Sequence, residues 1–197
     1  MNSISIFGVF VADLCFFGNK IPTRGETVLG NNHLVGPGGK GSNQAIAAAR
    51  LEGNVKFITK IGKEVWDECA KNDNPFLSYT FLKNLEDSGS IGSETSWIPN
   101  YVAIINKKLI IAVCPMYIKL DSQGEYIFDH SWANAYYNAG GNYYPKIQLS
   151  VPFTPVAGNR VLINNKVKAL DHNSVIESFA EYLIKLTNAN YSSAHIT

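Results

Sequence analysis

The chain has 197 residues, 46% of them hydrophobic and 12% aromatic, with only 17% charged and a net charge of +1. That composition suffices for a packed core and excludes disorder, collagen-like repeats and a coiled coil. The charge gives no electrostatic case for nucleic acid or an anionic membrane surface as a partner.

Cys15, Cys69 and Cys114 are odd in number and far apart, with no CxxC pair, which argues against a disulfide framework and for a reducing compartment. No stretch approaches the roughly 20 apolar residues of a membrane helix, and the N-terminus has no basic leader. The expectation is a cytoplasmic α/β protein.

In chain order, Ile4–Val11 reads as a buried strand bounded by Asp13. Pro22, Arg24-Gly25-Glu26 and Gly30-Asn31-Asn32 mark turns around short strands. The glycine-rich run Gly36–Ser42 then feeds an alanine-rich helix from Asn43 to Leu51, with Gly53 as its stop and Val55–Ile61 as a second strand. Asn74-Pro75 opens a helix whose Phe76, Leu77, Phe81, Leu82 and Leu85 share a face. Tyr101–Ile105 and Leu109–Leu120 form a hairpin about Asn106-Lys107-Lys108. Glu125–Phe128 reads as a short strand, Trp132–Ala139 as a helix, and Ile147–Val151 and Arg160–Ile163 as strands. Ser174–Leu186 is an amphipathic helix, and Ala194-His195-Ile196 looks like the opening of a further strand.

Composition breaks near residue 64. All ten tyrosines and all three tryptophans follow it, whereas ten of the sixteen glycines precede it. Residues 1–63 carry seven bases and three acids, and 64–197 carry ten bases and thirteen acids. The expected domains are therefore 1–63 and 64–197, joined at Lys63-Glu64-Val65-Trp66 without a Pro/Gly/Ser-rich linker.

A glycine-rich loop ahead of a helix lets backbone N–H groups approach an oxygen-rich ligand. A Walker A loop fails here, because Leu34 and Gly41 stand where Gly and Ser or Thr are required. Gly36-x-Gly38-x-x-Gly41 matches a dinucleotide fingerprint, with Glu64 beyond it, but it lies about 25 residues after the first strand. A third pattern combines Gly8, Ala12-Asp13-Leu14, Ile21-Pro22-x-x-Gly25-Glu26-Thr27 and Gly38-Gly39-Lys40-Gly41-Ser42-Asn43-Gln44-Ala45. It resembles ribokinase and its PfkB sugar-kinase relatives over residues 1 to about 63. The resemblance implies sugar contacts at Asp13, Gly38, Gly39 and Asn43, with Lys40 alongside. Val11 departs from it, standing where these kinases usually carry an Asn. A complete kinase of this kind uses ATP and Mg, and its Gly-Ala-Gly-Asp-type turn has no counterpart in this sequence, so no phosphoryl transfer is expected.

After residue 64 the strings Trp66-Asp67-x-Cys69-Ala70, Asn74-Pro75-Phe76-Leu77-Ser78, Ser122-x-Gly124-Glu125-Tyr126-x-Phe128-Asp129, Tyr143-Tyr144-Pro145-Lys146 and Val151-Pro152-Phe153-Thr154-Pro155 occur in order. They resemble a bacterial peptidoglycan biosynthesis/recognition family with a GNAT-like acyltransferase fold related to the FemAB group. The implied architecture is a ribokinase-like N-terminal fragment joined to a GNAT-like mixed-sheet fragment. The implied chemistry is N-acyl transfer from acyl-CoA or an aminoacyl donor to an amine, so the expected partner is a small molecule, either sugar or amine acceptor. The alternatives are a PfkB-type carbohydrate kinase and a non-catalytic truncated chimera.

Glu125, Asp129, His130 and Lys146 are the polar candidates in the aromatic second segment, and Tyr136, Tyr137, Tyr143 and Tyr144 could stack on a ligand. His33, His130, His172 and His195 are too scattered to suggest a metal site, and no cysteine nucleophile is evident.

Overall fold

Strand β1 (Ser3–Phe7) runs parallel to β4 (Asn54–Ile58), with Ser3 opposite Asn54 and Phe7 opposite Ile58. Between them lie β2 (Val11–Phe17), β3 (Asn32–Gly38) and helix α1 (Lys40–Arg50). The computed structural model describes residues 3–8, 11–51, 54–58, 61–70, 74–106, 109–167 and 172–197. The first strand is shorter than the sequence suggests: it ends at Phe7, and Val11 opens β2 instead. The glycine run is also not a loop. Gly36, Pro37 and Gly38 belong to β3, antiparallel to β2, and the turn into α1 is the single residue Gly39 at φ +95°. Only a residue without a Cβ takes that backbone cheaply. Helix α1 therefore starts at Lys40, three residues before the expected Asn43; the Gly53 stop lies outside the described residues.

The structure divides into two units, Met1–Gly62 with Lys107–Leu109, and Lys63–Asn106 with Ile110–Thr197. The larger unit opens with α2 (Lys63–Ala70), whose Trp66 is buried and donates from Nε1 to the Leu77 carbonyl at 2.8 Å. Asn74-Pro75 starts only a 3-10 turn over Pro75–Leu77. The α-helix proper, α3 (Tyr79–Asp87), is capped by Ser78, which accepts from the Phe81 N–H.

Two sheets follow. Strands β6 (Val102–Asn106), β7 (Leu109–Cys114) and β10 (Leu162–Ile163) make one, in the order β10-β7-β6. The other contains β5 (Trp97–Pro99), β8 (Tyr117–Lys119), β9 (Lys146–Leu149) and β11 (Ala194–Ile196), in the order β11-β9-β8-β5. The expected long strand Leu109–Leu120 is split at Pro115, so its two halves serve different sheets. In the second sheet β5, β8 and β9 are antiparallel, while β11 returns parallel to β9. The connection that makes this possible includes helix α5 (His172–Asn190).

Alternation decides what each face of that sheet meets. Ile147 and Leu149 pack with Phe179 and Leu183 of α5, and Met116 and Cys114 join the same cluster. Helix α5 is longer than Ser174–Leu186, but its buried Val175, Phe179 and Leu183 hold the expected i, i+4 spacing. The opposite face carries Trp97, Lys119 and Lys146 side by side, since Trp97 pairs with Lys119 and Lys119 with Lys146. Residues 120–129 and helix α4 (His130–Asn138) follow β8 in the chain. Glu125–Phe128 is not a strand but irregular backbone, entered through Gly124 at φ +73°. No helix among the described residues is long and apolar enough to cross a membrane.

Candidate functional site

The polar face of the β11-β9-β8-β5 sheet holds two fully buried lysines, an arrangement that demands compensation. Lys146 Nζ donates to Glu125 Oε2 at 2.9 Å and to Asp129 Oδ2. Lys119 Nζ sits 4.1 Å from the centre of the Trp97 ring, donates to the Gln123 carbonyl at 2.7 Å, and lies 4.0 Å from Glu125 Oε1. Asp129 is the hub. It accepts from Ser122 Oγ and, at 2.7 Å, from the Tyr143 hydroxyl, and it faces His195 Nδ1 at 3.8 Å. Ser122 also bonds the Tyr144 hydroxyl.

Burial and charge set the protonation states. For Asp129, burial pushes the pKa up, but the bonds from Lys146, Ser122 and Tyr143 outweigh it and hold the carboxyl at about 2. Glu125 goes the other way, raised by burial despite Lys146. Burial pulls Lys119 down to about 8, although Glu125 and Asp121 favour its charge. His195 is lowered by burial and by Lys146, so its neutral form is favoured. Tyr143 is raised by burial and by Asp129. Glu125 Oε1 is buried without a hydrogen-bond partner, with the Lys119 ammonium 4.0 Å away.

Of the four sequence candidates in this unit, Glu125, Asp129 and Lys146 converge here. His130 does not: it is exposed at the start of α4 and stacks on Phe128 at 6.0 Å between ring centres. Tyr143 and Tyr144 join the site, whereas Tyr136 and Tyr137 are about half exposed and Tyr136 reaches it through its edge contact with the Tyr143 ring. Sequence reasoning missed Lys119, Ser122 and His195. The signal for Lys119 was available, since it has the same parity on its strand as Tyr117, opposite Gln148. His195 offered none, because only the return of β11 beside β9 brings it near Asp129.

In the smaller unit the β2/β3 ladder sets Val11 opposite Gly38 and Asp13 opposite Gly36. Gly38 is buried and leads through Gly39 to Lys40 and Asn43, both exposed in the first turn of α1. Ser42 closes this corner, donating to the Gly39 carbonyl at 2.9 Å. The five residues expected to contact sugar thus fall on one strand pair and the helix that leaves it.

Residues 57–197 match the FemAB-like family model, described as "Peptidogalycan biosysnthesis/recognition". The chain belongs to this family. Residues 1–73 match a second model, the pfkB family carbohydrate kinases. Among characterised proteins the chain is similar to a ribokinase of Bacillus subtilis, 41% identical over 73 residues, or 37% of this chain and 25% of that protein. A ribokinase of Lactococcus lactis is 32% identical over 105 residues, covering 53% of this chain and 31% of the relative. A deoxyribokinase of Salmonella typhi is 40% identical over 70 residues, 35% of this chain and 23% of the relative. The chain therefore spans between about a quarter and a third of the length of these relatives.

Proposed function

We propose that the larger unit is an N-acyltransferase module of GNAT-like descent, moving an acyl group from a thioester or aminoacyl donor to an amine in peptidoglycan metabolism. The observation that carries this reading is Glu125, a carboxyl raised by burial whose Oε1 is buried without a hydrogen-bond partner. An amine attacking an acyl carbonyl must shed a proton, and a carboxylate with a raised pKa is a better base than an ordinary one. Lys146 anchors the other oxygen of Glu125, so the base is held in one orientation. Lys119, at about 8 and 4.0 Å away, stabilises the charge on Glu125 before it takes the proton. Family membership supports the peptidoglycan setting.

The test uses the full chain with an amine-bearing peptidoglycan stem peptide. One arm follows thiol release from acetyl-CoA, and the other follows amide formation from an aminoacyl ester. Amine-dependent turnover in either arm is expected, falling roughly 100-fold in Glu125→Gln. No turnover with either donor between pH 6 and 9, or an unaffected Glu125→Gln, overturns the reading.

A second reading concerns the smaller unit, and the β2/β3 register favours it. An ionised Asp beside a glycine-lined backbone accepts hydroxyl protons in charge-assisted bonds, which suits a polyol. Residues Asp13, Gly38, Gly39, Lys40 and Asn43 form the proposed sugar subsite, and the kinase relatives support it. Calorimetric titration with ribose is expected to show weak binding, lost in Asp13→Ala and retained in Lys40→Ala. Salt-sensitive binding of sugar phosphates, lost only in Lys40→Ala, would refute it.

A further inference from the structure

Ser193 immediately precedes β11 and is already in register with the sheet, because its carbonyl accepts from the Ile147 N–H at 2.9 Å. Residues two apart on an extended segment share a face. Ser193 and His195 consequently point the same way, and their side chains meet, with Ser193 Oγ 2.9 Å from His195 Nε2. The other ring nitrogen, Nδ1, faces Asp129 Oδ2 at 3.8 Å. Three residues from two distant parts of the chain thus form a line of hydroxyl, imidazole and carboxylate.

The groups around the ring suit one tautomer. With its proton on Nδ1, toward the Asp129 carboxylate 3.8 Å away, the neutral ring leaves Nε2 free to accept. Tyr143 lies 3.4 Å from Nε2, but its only proton is committed to Asp129. Ser192 lies 3.4 Å from Ser193 Oγ, but its proton goes to the Tyr143 carbonyl. The Ser193 proton is left with Nε2 as its closest acceptor. Burial lowers His195, which keeps the imidazole neutral and able to accept that proton. His195 is 28% exposed at its side chain and Ser193 is half-buried, so a reagent can reach the pair.

We propose that Ser193 is a nucleophile that takes an acyl group from an activated ester or thioester, with His195 as its base and Asp129 as the positioning carboxylate. The Ser193 oxygen forms a bond to the acyl carbonyl carbon while its proton passes to His195 Nε2. The bond to the leaving alcohol or thiol then breaks, and that group departs with the proton from His195. The product is an acyl-serine, which an incoming amine converts to an amide while the serine recovers its proton. The inference rests on the acyl-transfer reading for its donor class, but it concerns different atoms: Glu125 serves the acceptor amine and Ser193 the donor.

A fluorophosphonate probe and peptide mapping of the full chain test it without any acceptor. One adduct on Ser193 is expected, absent in Ser193→Ala and slowed at least tenfold in His195→Gln, with unchanged urea midpoints showing that both variants fold. The groups facing His195 are Lys146 from β9, Asp129 at the start of α4, Tyr143 and Ser193. Asp129 alone among them favours the imidazolium, so in Asp129→Asn the pH midpoint of labelling is expected to move down. An unlabelled wild-type chain, or equal labelling of Ser193→Ala, overturns the acyl-serine. Amine-dependent transfer that survives in Ser193→Ala removes this inference and leaves the transfer reading intact. A Ser193 adduct without amine-dependent transfer does the reverse.

Discussion

Replacing Lys146 by Met removes the one cation that, among the described residues, touches both Glu125 and Asp129. The thioether fills much of the stem's volume, so the cost is electrostatic more than steric. Two carboxylates would then share a buried site without a hydrogen-bonded cation, and losing one partner of a buried pair costs about 3–5 kcal/mol. With a urea slope of about 1–3 kcal/mol/M, the unfolding midpoint should fall by roughly 2 M. Tryptophan fluorescence is the assay, because Trp66, Trp97 and Trp132 all lie in the larger unit and report on it alone. The deficit has a pH signature. Without Lys146 the carboxylates prefer their protonated forms, so their folded pKa values rise above the unfolded ones. A group raised in this way costs stability above its folded pKa and is relieved as pH falls through it. The deficit measured at pH 7 should therefore shrink at pH 5. Adding Glu125→Gln and Asp129→Asn should recover most of the loss. A cost below about 1 kcal/mol at pH 7, or a deficit equal at both pH values, would refute the assignment of Lys146 as the cluster's counter-charge.

Two further outcomes follow from the same face. Lys119 titrates at about 8 when folded and near 10.5 otherwise, so its burial penalty is complete below pH 8 and vanishes as pH rises to 10.5. The buried Cys69 and Cys114 thiols, both raised, work against this as pH climbs past 9, so the signature is a difference: the stability of the parent relative to Lys119→Met should rise by about 3 kcal/mol across that window in urea titrations. Gly124→Ala would place a Cβ 2.6 Å from Phe153 Cε1 and 2.8 Å from Trp97 Nε1 at a φ of +73°. A loss of about 2–4 kcal/mol and a shifted Trp97 emission are expected, and a melting temperature within 2 °C of the parent would contradict the packing described.

Helix α5 was legible in the sequence because its buried residues repeat at helical spacing and outnumber any competing pattern. Strand β9 was legible too, but its meaning was not. Lys146 and Gln148 alternate with Ile147 and Leu149, the pattern of a strand with one wet face, yet all four are buried. The difference lies in what stands over Lys146: Glu125, Asp129 and Tyr143, which a strand-level pattern does not contain. The same cover explains the misread strand Glu125–Phe128. Its residues do not alternate: Glu125 and Asp129 are buried and Tyr126, Ile127 and Phe128 are exposed between them, and a run of three exposed apolar residues belongs to no period-2 strand. Three of the four nominated polar residues were found because carboxylates and a lysine among aromatics need one another. His130 shared their neighbourhood in sequence but faces solvent, since the first turn of α4 turns it away from Asp129.

Strand β11 forms one border of its four-stranded sheet, with β9 on one flank and the other flank unpaired among the described residues. A border strand is a template: its free amides and carbonyls accept another extended segment, whether from the same polypeptide or a different one. Such an addition would turn His195 from a rim residue into an interior one, stripping water from the imidazole and strengthening the field of Asp129 and Lys146 upon it. A segment zipped onto β11 would in this way also tune the chemistry beside it.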